Sequence, residues 1–537
     1  MGKTNINTGL VRFAWWALAT IVFVLVIAIR IRLLGIPLER DEGEYAYAGQ
    51  LILQGIPPYR LAYNMKFPGT YAAYALIMSI FGQTIHAVHL GLLLVNLATI
   101  TLIFLLGRRL IDSTAGIAAA ACYAVLSVSP SVLGLAAHAT NFVILPVLGG
   151  ILLLINKQHT MIPRPLRLFV SGLLFGIGAL MKQPALLFIP FGIFCILWND
   201  VTVRSSPKKA LLRILVFLLG AIIPLGITCL ILWRARVLDK SWFWTIDYAW
   251  QYGRLVPLAQ APRIFLQSAS EIVFTGWILW ILAGIGTCAG VCNKELRTSA
   301  VFLIVFLFLS ALALCPGFYF RSHYFILVLP AVSLLVGLAM SRLSKIFAGR
   351  NVPIRLVPLL VFAAALCLPI LRDKKIFFQA TPTEACRLVY PESPFPEAAR
   401  IAEYVREHTG PDDTIAVLGS EPEIYFYSKR HSATGYIYTY ALMEPQKYAH
   451  QMQEEMIREI EHARPKYLVS VLMNDSWLYR SQSDPRIFTW ANEYTAENYN
   501  AAGFVNIKPT ETDYFFGNIP ASVESLKNYI LIYGRKL

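Results

Sequence analysis

The sequence predicts an all-α polytopic membrane protein of about eleven transmembrane helices, followed by a soluble α/β domain. The 537 residues are 56% hydrophobic and 15% charged, with a mean hydropathy of +0.56, whereas soluble domains carry about 25% charged residues. Charge divides the chain, because residues 1–379 hold 32 basic and 11 acidic side chains and residues 380–537 hold 15 and 21. We therefore predict a membrane domain over 1–379 and an extracytoplasmic domain over 380–537. This composition excludes a soluble enzyme, a disordered chain and a disulfide scaffold.

The predicted spans are apolar runs, since about 20 apolar residues cross a bilayer as a helix. The shorter run 70–82 is predicted to be a re-entrant or interfacial segment, with a short span as the alternative. The first run is too long for a cleavable signal and no small-residue cleavage site follows it. The eleven spans lie near 12–34, 86–107, 113–135, 140–156, 168–181, 184–198, 211–233, 266–291, 298–315, 324–341 and 356–371.

Basic residues set the predicted orientation. By the positive-inside rule, the short loops that carry them are cytoplasmic. The N-terminus is then cytoplasmic, and the first long loop, 35–85, and the C-terminal domain lie outside an integral plasma (inner) membrane protein. The net charge of +15 is attributed to topology and to outward-facing cations, not to nucleic-acid binding. The cytoplasmic loops carry Arg108 and Arg109, Lys157–Arg167, Arg204–Arg213, Lys294–Arg297 and Arg342–Arg355.

Predicted helices alternate with predicted strands in the C-terminal domain, which indicates the α/β class. Helices are expected at 397–408 and 444–463, and strands at Thr414–Leu418 and Tyr467–Leu472, where β-branched and apolar residues concentrate. The aromatic-rich stretch Tyr425–Tyr440 is interpreted as core rather than as a sugar-binding surface. A second aromatic stretch, 240–252, is typical of an interfacial belt, with a sugar or isoprenoid platform as the alternative.

Four acids within six residues open the first outer loop: Glu39, Asp41, Glu42 and Glu44. A carboxylate at a membrane face is costly unless it is paired or functional. The segment from Asp41 to Leu53 has a helical pattern, so Asp41 is either a helix cap or a general base. Capping accounts for one acid and leaves the other three without a reason.

The order of short motifs along residues 1–345 resembles the GT-C superfamily. These are polytopic glycosyltransferases with polyprenyl-phosphate-linked donors, and the similar branch is that of protein O-mannosyltransferases and aminoarabinose transferases. The motifs are Asp41-Glu42 after the first span, the Lys-x-Pro of Lys66 and Pro68, Phe81-Gly82, Leu106-Gly107-Arg108-Arg109, and Arg321-Ser322-His323-Tyr324-Phe325 with Pro330.

The resemblance implies roles for individual residues. Asp41 matches the family's base or acceptor-orienting acid, with Glu42 as its neighbour in the catalytic pair. Lys66 matches a lysine beside the lipid phosphate, but Met65 replaces the acid that precedes it in the family. We therefore expect no cofactor, and a divalent metal is doubtful because hard cations need several oxygen ligands. His138 stands where other members place a second acid and is a candidate substrate contact.

Transfer from such a donor also requires cations, which points to candidate residues. An inverting transfer from a lipid phosphate needs a base on the acceptor hydroxyl and cations on the departing phosphate. Lys66 and Arg321 are the preferred phosphate binders, and His323 and Tyr324 are candidates to orient the substrate. The alternative for each cation is snorkelling to lipid headgroups. The further candidates are Lys182, Arg254, Arg263 and Arg60.

The sequence thus predicts an inverting glycosyltransferase that moves a sugar from undecaprenyl- or dolichyl-phosphate to a lipid, glycan or protein hydroxyl outside the membrane. Its expected partners are the lipid-linked donor, an unspecified acceptor and membrane lipids. Two alternatives remain. One is a lipid or solute transporter or flippase, which would favour ionisable groups at mid-membrane and internal repeats. The other is a non-catalytic protein of envelope assembly that binds lipid-linked sugar.

Overall fold

The computed structural model describes residues 2–155, 164–508, 511–517 and 527–536, with side chains from residue 9 onward. Part of the predicted cytoplasmic stretch 157–167 lies outside these ranges. The helices of the first 381 residues are α1 (Gly2–Arg32), α2 (Arg40–Leu53), α3 (Gly69–Phe81), α4 (Ile85–Leu110), α5 (Ser113–Leu126), α6 (Ala139–Leu154), α7 (Pro165–Met181), α8 (Phe188–Thr202), α9 (Pro207–Arg234), α10 (Leu238–Trp242), α11 (Ala249–Tyr252), α12 (Ala261–Thr275), α13 (Trp277–Cys292), α14 (Arg297–Leu312), α15 (Leu329–Phe347) and α16 (Val352–Arg372).

Each predicted span falls on an apolar helix or helix pair of this list. Within the described ranges, six helices are long and apolar enough to cross a membrane, and a seventh crossing results if one bent pair counts as a span. Four other predicted spans are apolar helices of 14 to 17 residues. The polytopic all-α architecture is confirmed, while the number eleven stays a prediction.

The predicted span 266–291 is not one straight helix. It divides into α12 and α13, whose axes differ by 97°. Gly276 lies between them with φ −127° and ψ 37°, outside the helical region. Since the apolar run continues through the break, hydropathy alone gives no sign of the bend.

Small residues allow close helix packing in the membrane part. Gly172 and Gly176 on α7 lie against the α9 backbone at Phe217 and Ala221, where an added Cβ would collide with carbonyl oxygens. Glycines four residues apart let two helix backbones approach, and such packing holds membrane helices together where the hydrophobic effect is weak.

The C-terminal residues form a mixed six-stranded sheet with helices. The strand order is β2-β1-β3-β6-β4-β5; β2, β1 and β3 are parallel, and β6, β4 and β5 add antiparallel pairs. The two predicted strands are β1 and β3, and Ile415 pairs with Tyr467. The elements are α17 (Pro382–Val389), α18 (Phe395–Glu407), β1 (Thr414–Leu418), α19 (Glu423–Ser428), β2 (His431–Ser432), α20 (Tyr440–Met443), α21 (Ala449–Ala463), β3 (Tyr467–Leu472), α22 (Asn474–Trp477), α23 (Arg486–Asn498), β4 (Tyr499–Ile507), β5 (Thr512–Phe516) and β6 (Tyr529–Arg535).

The chain folds into two compact units, each of which is discontinuous in sequence. Unit 1 contains Met1–Leu34, His89–Cys229 and Val256–Thr381. Unit 2 contains Gly35–Val88, Leu230–Leu255 and Pro382–Leu537. The predicted first outer loop, which the sequence assigns to the membrane domain, therefore folds together with the C-terminal residues.

Aromatic side chains join the three segments of unit 2. Tyr63 of the first outer loop stacks on Trp244 at 5.8 Å between ring centroids and meets Tyr436 edge-on at 5.2 Å. Trp244 and Tyr248 are buried, so the belt interpretation of 240–252 is wrong for these two residues. The core interpretation of Tyr425–Tyr440 fits the burial of Tyr436.

Candidate active site

The N-terminus of α2 is built by two of the four acids. Glu39 is the N-cap, and its carboxylate accepts a hydrogen bond from the Glu42 backbone N–H at 2.9 Å. The Glu42 carboxylate accepts one from the Glu39 backbone N–H at 3.2 Å, which completes a capping box. The N-cap of α2 is thus Glu39 and not Asp41. Glu42 has a structural role, because its carboxylate is the second half of the capping box.

The other two acids, Asp41 and Glu44, meet Lys66. They stand three residues apart on α2, a spacing that makes them neighbours on a helix surface. The Lys66 Nζ donates to Asp41 Oδ1 at 2.9 Å and to Glu44 Oε2 at 2.7 Å. The Asp41 and Lys66 side chains are each 17% exposed, whereas that of Glu44 is 1% exposed. Lys66 therefore bridges a buried carboxylate and a partly accessible one.

Glu44 is held by neutral donors as well. Asn64 Nδ2 donates to Glu44 Oε2 at 2.9 Å, and the Tyr71 hydroxyl donates to Glu44 Oε1 at 2.5 Å. Burial raises the pKa of Glu44, and the Lys66 charge opposes that rise. Such a network fixes the position of the carboxylate and, through it, the position of the ammonium group.

Lys66 remains charged in this setting. Burial by itself lowers the pKa of Lys66, but the Asp41 and Glu44 carboxylates outweigh burial and hold that pKa well above its usual value. The ammonium also lies over two aromatic rings, with Nζ 4.6 Å from the Tyr45 centroid and 5.7 Å from the Tyr438 centroid.

Contacts with the C-terminal residues fix α2 in unit 2. Gly43 touches the Glu423 backbone so closely that a Cβ would collide with it. Arg40 donates through Nε to the Ser420 carbonyl at 2.6 Å and forms an ion pair with Glu421 at 3.3 Å. The helix that carries Asp41 is therefore positioned by residues almost 400 positions later in the chain.

A second group of predicted residues comes together in unit 1. The imidazole rings of His138 and His323 stack with centroids 4.1 Å apart and planes 11° apart. Lys182 Nζ lies 3.4 Å from His323 Nε2 and 3.8 Å from the Tyr324 ring centroid. The Thr140 hydroxyl donates to the His323 carbonyl at 3.0 Å and holds α6 to this segment. The group thus places the half-buried Lys182 ammonium beside the His323 imidazole and the Tyr324 ring.

The remaining predicted cations lie at the surface. Arg60 and Arg254 in unit 2, and Arg263 and Arg321 in unit 1, are exposed. Arg254 stacks over the Trp250 ring at 4.1 Å, and Arg321 lies over the Tyr319 ring at 5.5 Å. Exposure of this kind suits headgroup contact as well as substrate contact.

Sequence reasoning did not assign three residues of the Lys66 environment. Glu44 could have been predicted, because its spacing from Asp41 places the two acids next to each other on a helix surface. Asn64 lies two residues before Lys66, and Tyr438 lies in a distant segment. Neither position follows a pattern that points to Asp41, so only the folded chain reveals them.

Comparisons with known proteins agree with this fold. The profile of the dolichyl-phosphate-mannose-protein mannosyltransferase family matches residues 66–227. No curated protein gives a significant match.

Solved structures match nearly the whole chain at low identity. ArnT from Cupriavidus metallidurans bound to undecaprenyl phosphate is 14% identical, with 96% of this chain and 98% of that chain covered and a TM-score of 0.55. Apo ArnT from the same organism is 14% identical, covers 97% and 98%, and gives 0.57. The archaeal oligosaccharyltransferase AglB from Archaeoglobus fulgidus, in complex with an inhibitory peptide and a dolichol-phosphate, is 14% identical, covers 95% and 75%, and gives 0.50. The chain is thus a polytopic membrane protein with the GT-C fold, and the resemblance to the GT-C superfamily that its motifs indicate is confirmed.

Proposed function

We propose that this protein is an inverting glycosyltransferase that moves a sugar from a polyprenyl-phosphate donor to a hydroxyl of a lipid, glycan or protein outside the membrane. The observation that carries the proposal is the pairing of Asp41 with Lys66, a partly accessible carboxylate 2.9 Å from an ammonium group. These are the two charges that the reaction needs, one to accept a proton and one to stabilise a departing phosphate.

The reaction needs few groups because its leaving group is already an anion. The acceptor oxygen attacks the anomeric carbon and gives its proton to Asp41. The bond from that carbon to the phosphate oxygen breaks, and its electron pair stays on the phosphate. Lys66 stabilises the added negative charge, and Asp41 then releases its proton to water. Inversion follows from one displacement.

Lys66 has two carboxylate partners, and we assign them different roles. Glu44 is buried and has three donors, so it retains Lys66 throughout. Asp41 is partly exposed, so a phosphate oxygen replaces it as a Lys66 partner when the donor binds. The acceptor hydroxyl then donates to the Asp41 carboxylate. Glu42 acts through the capping box, by holding the first turn of α2 in place.

Taken by itself, the unit 1 group is proposed to bind a lipid phosphate. Lys182 is half-buried beside His323 and Tyr324, and a cation in such a setting attracts phosphate more strongly than one in open water. The solved structures of ArnT and AglB, which share this fold, hold undecaprenyl phosphate and a dolichol-phosphate respectively. Those ligands support a lipid-phosphate donor for this chain.

We propose that the reaction needs no divalent metal. The Lys66 ammonium stands between the Asp41 and Glu44 carboxylates, where a metal ion shared by the two acids would otherwise neutralise them. Met65 supplies no oxygen ligand at the neighbouring position.

The deciding experiment is a transfer assay on the purified full-length chain with a panel of polyprenyl-phosphate sugars. Asp41→Asn should abolish transfer and hydrolysis while retaining the fold and donor binding. The matched control is Asp413→Asn, because Asp413 also pairs with a lysine, Lys466, but on the exposed surface. Undiminished transfer by Asp41→Asn would contradict the role of Asp41. Tight binding of the donors without any turnover by the wild type would favour the non-catalytic binding protein.

A further inference from the structure

A segment of the C-terminal residues passes beside the Asp41–Lys66 pair. Two of its tyrosines, Tyr436 and Tyr438, have different surroundings. Tyr436 points into the core of unit 2 and donates to Glu455 at 2.5 Å. Tyr438 faces the site, with its hydroxyl 3.5 Å from Asp41 Oδ1 and its ring centroid 5.7 Å from Lys66 Nζ.

We propose that Tyr438 is a positioning residue for Asp41 and Lys66, so that the C-terminal segment is part of the active site and not an accessory domain. The proposal rests on the proposed function. It assigns a task to residues 382–537 that lies beyond the transfer chemistry of the first outer loop.

The hydroxyl and the ring of Tyr438 act on different partners. The hydroxyl donates to the Asp41 carboxylate, and a donor to the charged form of an acid favours that form. Burial, followed by the charge of Asp41, holds the pKa of Tyr438 well above its usual value, so the phenol keeps its proton. The ring faces the Lys66 ammonium from one side while the Tyr45 ring lies on another.

Packing on both sides holds the Tyr438 ring in this place. Ile437 and Thr439 are buried, and the Thr439 N–H donates to the Ser420 hydroxyl at 3.0 Å. Tyr440 meets Tyr438 edge-on, with centroids 4.8 Å apart, and donates to the Asp475 carbonyl at 2.7 Å. Tyr438 itself is half-buried, so it borders both the packed interior and the accessible face of Asp41.

Two substitutions separate the two effects. Tyr438→Phe removes the hydroxyl and retains the ring, and Tyr438→Leu removes both. Tyr436→Phe is the matched control, since it removes a hydroxyl two residues away that serves the core. All are made in the full-length chain, and the ionisation of Asp41 is titrated by infrared difference spectroscopy, with Asp41→Asn identifying its carboxylate band. The pH profile of transfer and the KM for the donor are measured in parallel.

Tyr438→Phe should raise the Asp41 midpoint, and with it the acid limb of kcat/KM, by about half a pH unit. Tyr438→Leu should show the same shift and a several-fold higher donor KM. Tyr436→Phe should lower Tm and leave the Asp41 midpoint in place. An unchanged infrared midpoint in Tyr438→Phe, or an equal shift in Tyr436→Phe, would overturn the inference. The infrared titration needs no turnover, so absence of transfer by the wild type would reject the proposed function alone.

Discussion

The ammonium nitrogen of Lys66 lies 2.9 Å from a carboxylate oxygen of Asp41, and the two side chains retain equal partial access to solvent. Twenty-four residues separate them in the loop that joins the first membrane helix to α4. Glu44 holds the same ammonium from the buried side at 2.7 Å. The candidate site thus holds the proposed base and the proposed phosphate-binding cation already in contact, with a second acid on the buried side of the cation.

Removal of the Lys66 charge should affect both stability and turnover. Lys66→Met leaves Asp41 and Glu44 without their shared cation, and loss of one partner from a buried ion pair costs about 3 kcal/mol. Transfer should fall by about 100-fold or more, because the leaving phosphate loses its nearest cation. Lys466→Met, which breaks an exposed pair, should cost less than about 1 kcal/mol and leave transfer intact. Calorimetry and the transfer assay measure both effects, and equal behaviour of the two variants would contradict this assignment.

Lys182 should act mainly on donor binding. Lys182→Met removes the cation beside His323 and Tyr324, and we expect a donor KM about tenfold higher with a smaller change in kcat. The control is Lys208→Met, at an exposed position in the first turn of α9, within the stretch that the sequence predicts to be cytoplasmic. A wild-type KM in Lys182→Met would place the donor phosphate elsewhere.

Chelation tests the proposal that the reaction needs no divalent metal. Because the Lys66 ammonium pairs with both site acids, we expect dialysis against EDTA to leave the transfer rate within about twofold of that of the untreated protein, and added Mg²⁺ or Mn²⁺ not to raise it. Loss of transfer on chelation, with recovery on addition of one of these ions, would show that a metal participates.

The buried cap acid should make stability depend on pH. Burial, and then the charges of Asp41 and Glu42, raise the pKa of Glu39 well above its ordinary value. Between the unfolded and folded pKa values the folded chain binds more protons, so this contribution is complete below about pH 4.3 and is lost as pH rises through the folded pKa. Tm of the wild type should therefore fall with rising pH more steeply than that of Glu39→Gln, whose side-chain oxygen still accepts the capping bond. Parallel slopes would show that Glu39 titrates normally.

The contact between α7 and α9 is testable with two glycines. Gly176→Ala should destabilise the protein by about 1 to 3 kcal/mol, because the new methyl meets the Ala221 backbone and the helices must separate. Gly226→Ala on α9 is the control, since an added Cβ there meets open space, and it should be neutral or stabilising by up to about 1 kcal/mol. Unfolding in a fixed detergent compares the two.

Local patterns predict much of this fold because runs of apolar residues mark many of its elements. The long apolar runs give the positions of the membrane helices, and short β-branched or apolar runs give β1 and β3 with the bounds that the structure has. Strands β4, β5 and β6 were not predicted. In β5 all five residues are partly exposed, so no buried run and no alternation of buried and exposed positions marks the strand. Their pairing depends on neighbours across the sheet, which a single segment does not encode.

The candidate site is predictable only in part for a similar reason. Asp41 and Lys66 are conspicuous as charges beside a membrane helix, so the sequence names both. The division of the four acids into a capping pair and a lysine-binding pair requires the geometry of α2. Tyr438 reaches Asp41 from 397 residues away, and no local pattern reports such a contact.

Unit 2 combines residues 35–88 with residues 230–255 and 382–537, and this has a consequence for biosynthesis. The ribosome completes α2 and Lys66 long before Tyr438 and Glu423, so the early loop is made before the partners that position it. Pairings of such large sequence separation form late in folding. Membrane insertion and maturation of the site are thereby separate events, and a chain halted within the last membrane helix would be inserted yet lack the surroundings of Asp41.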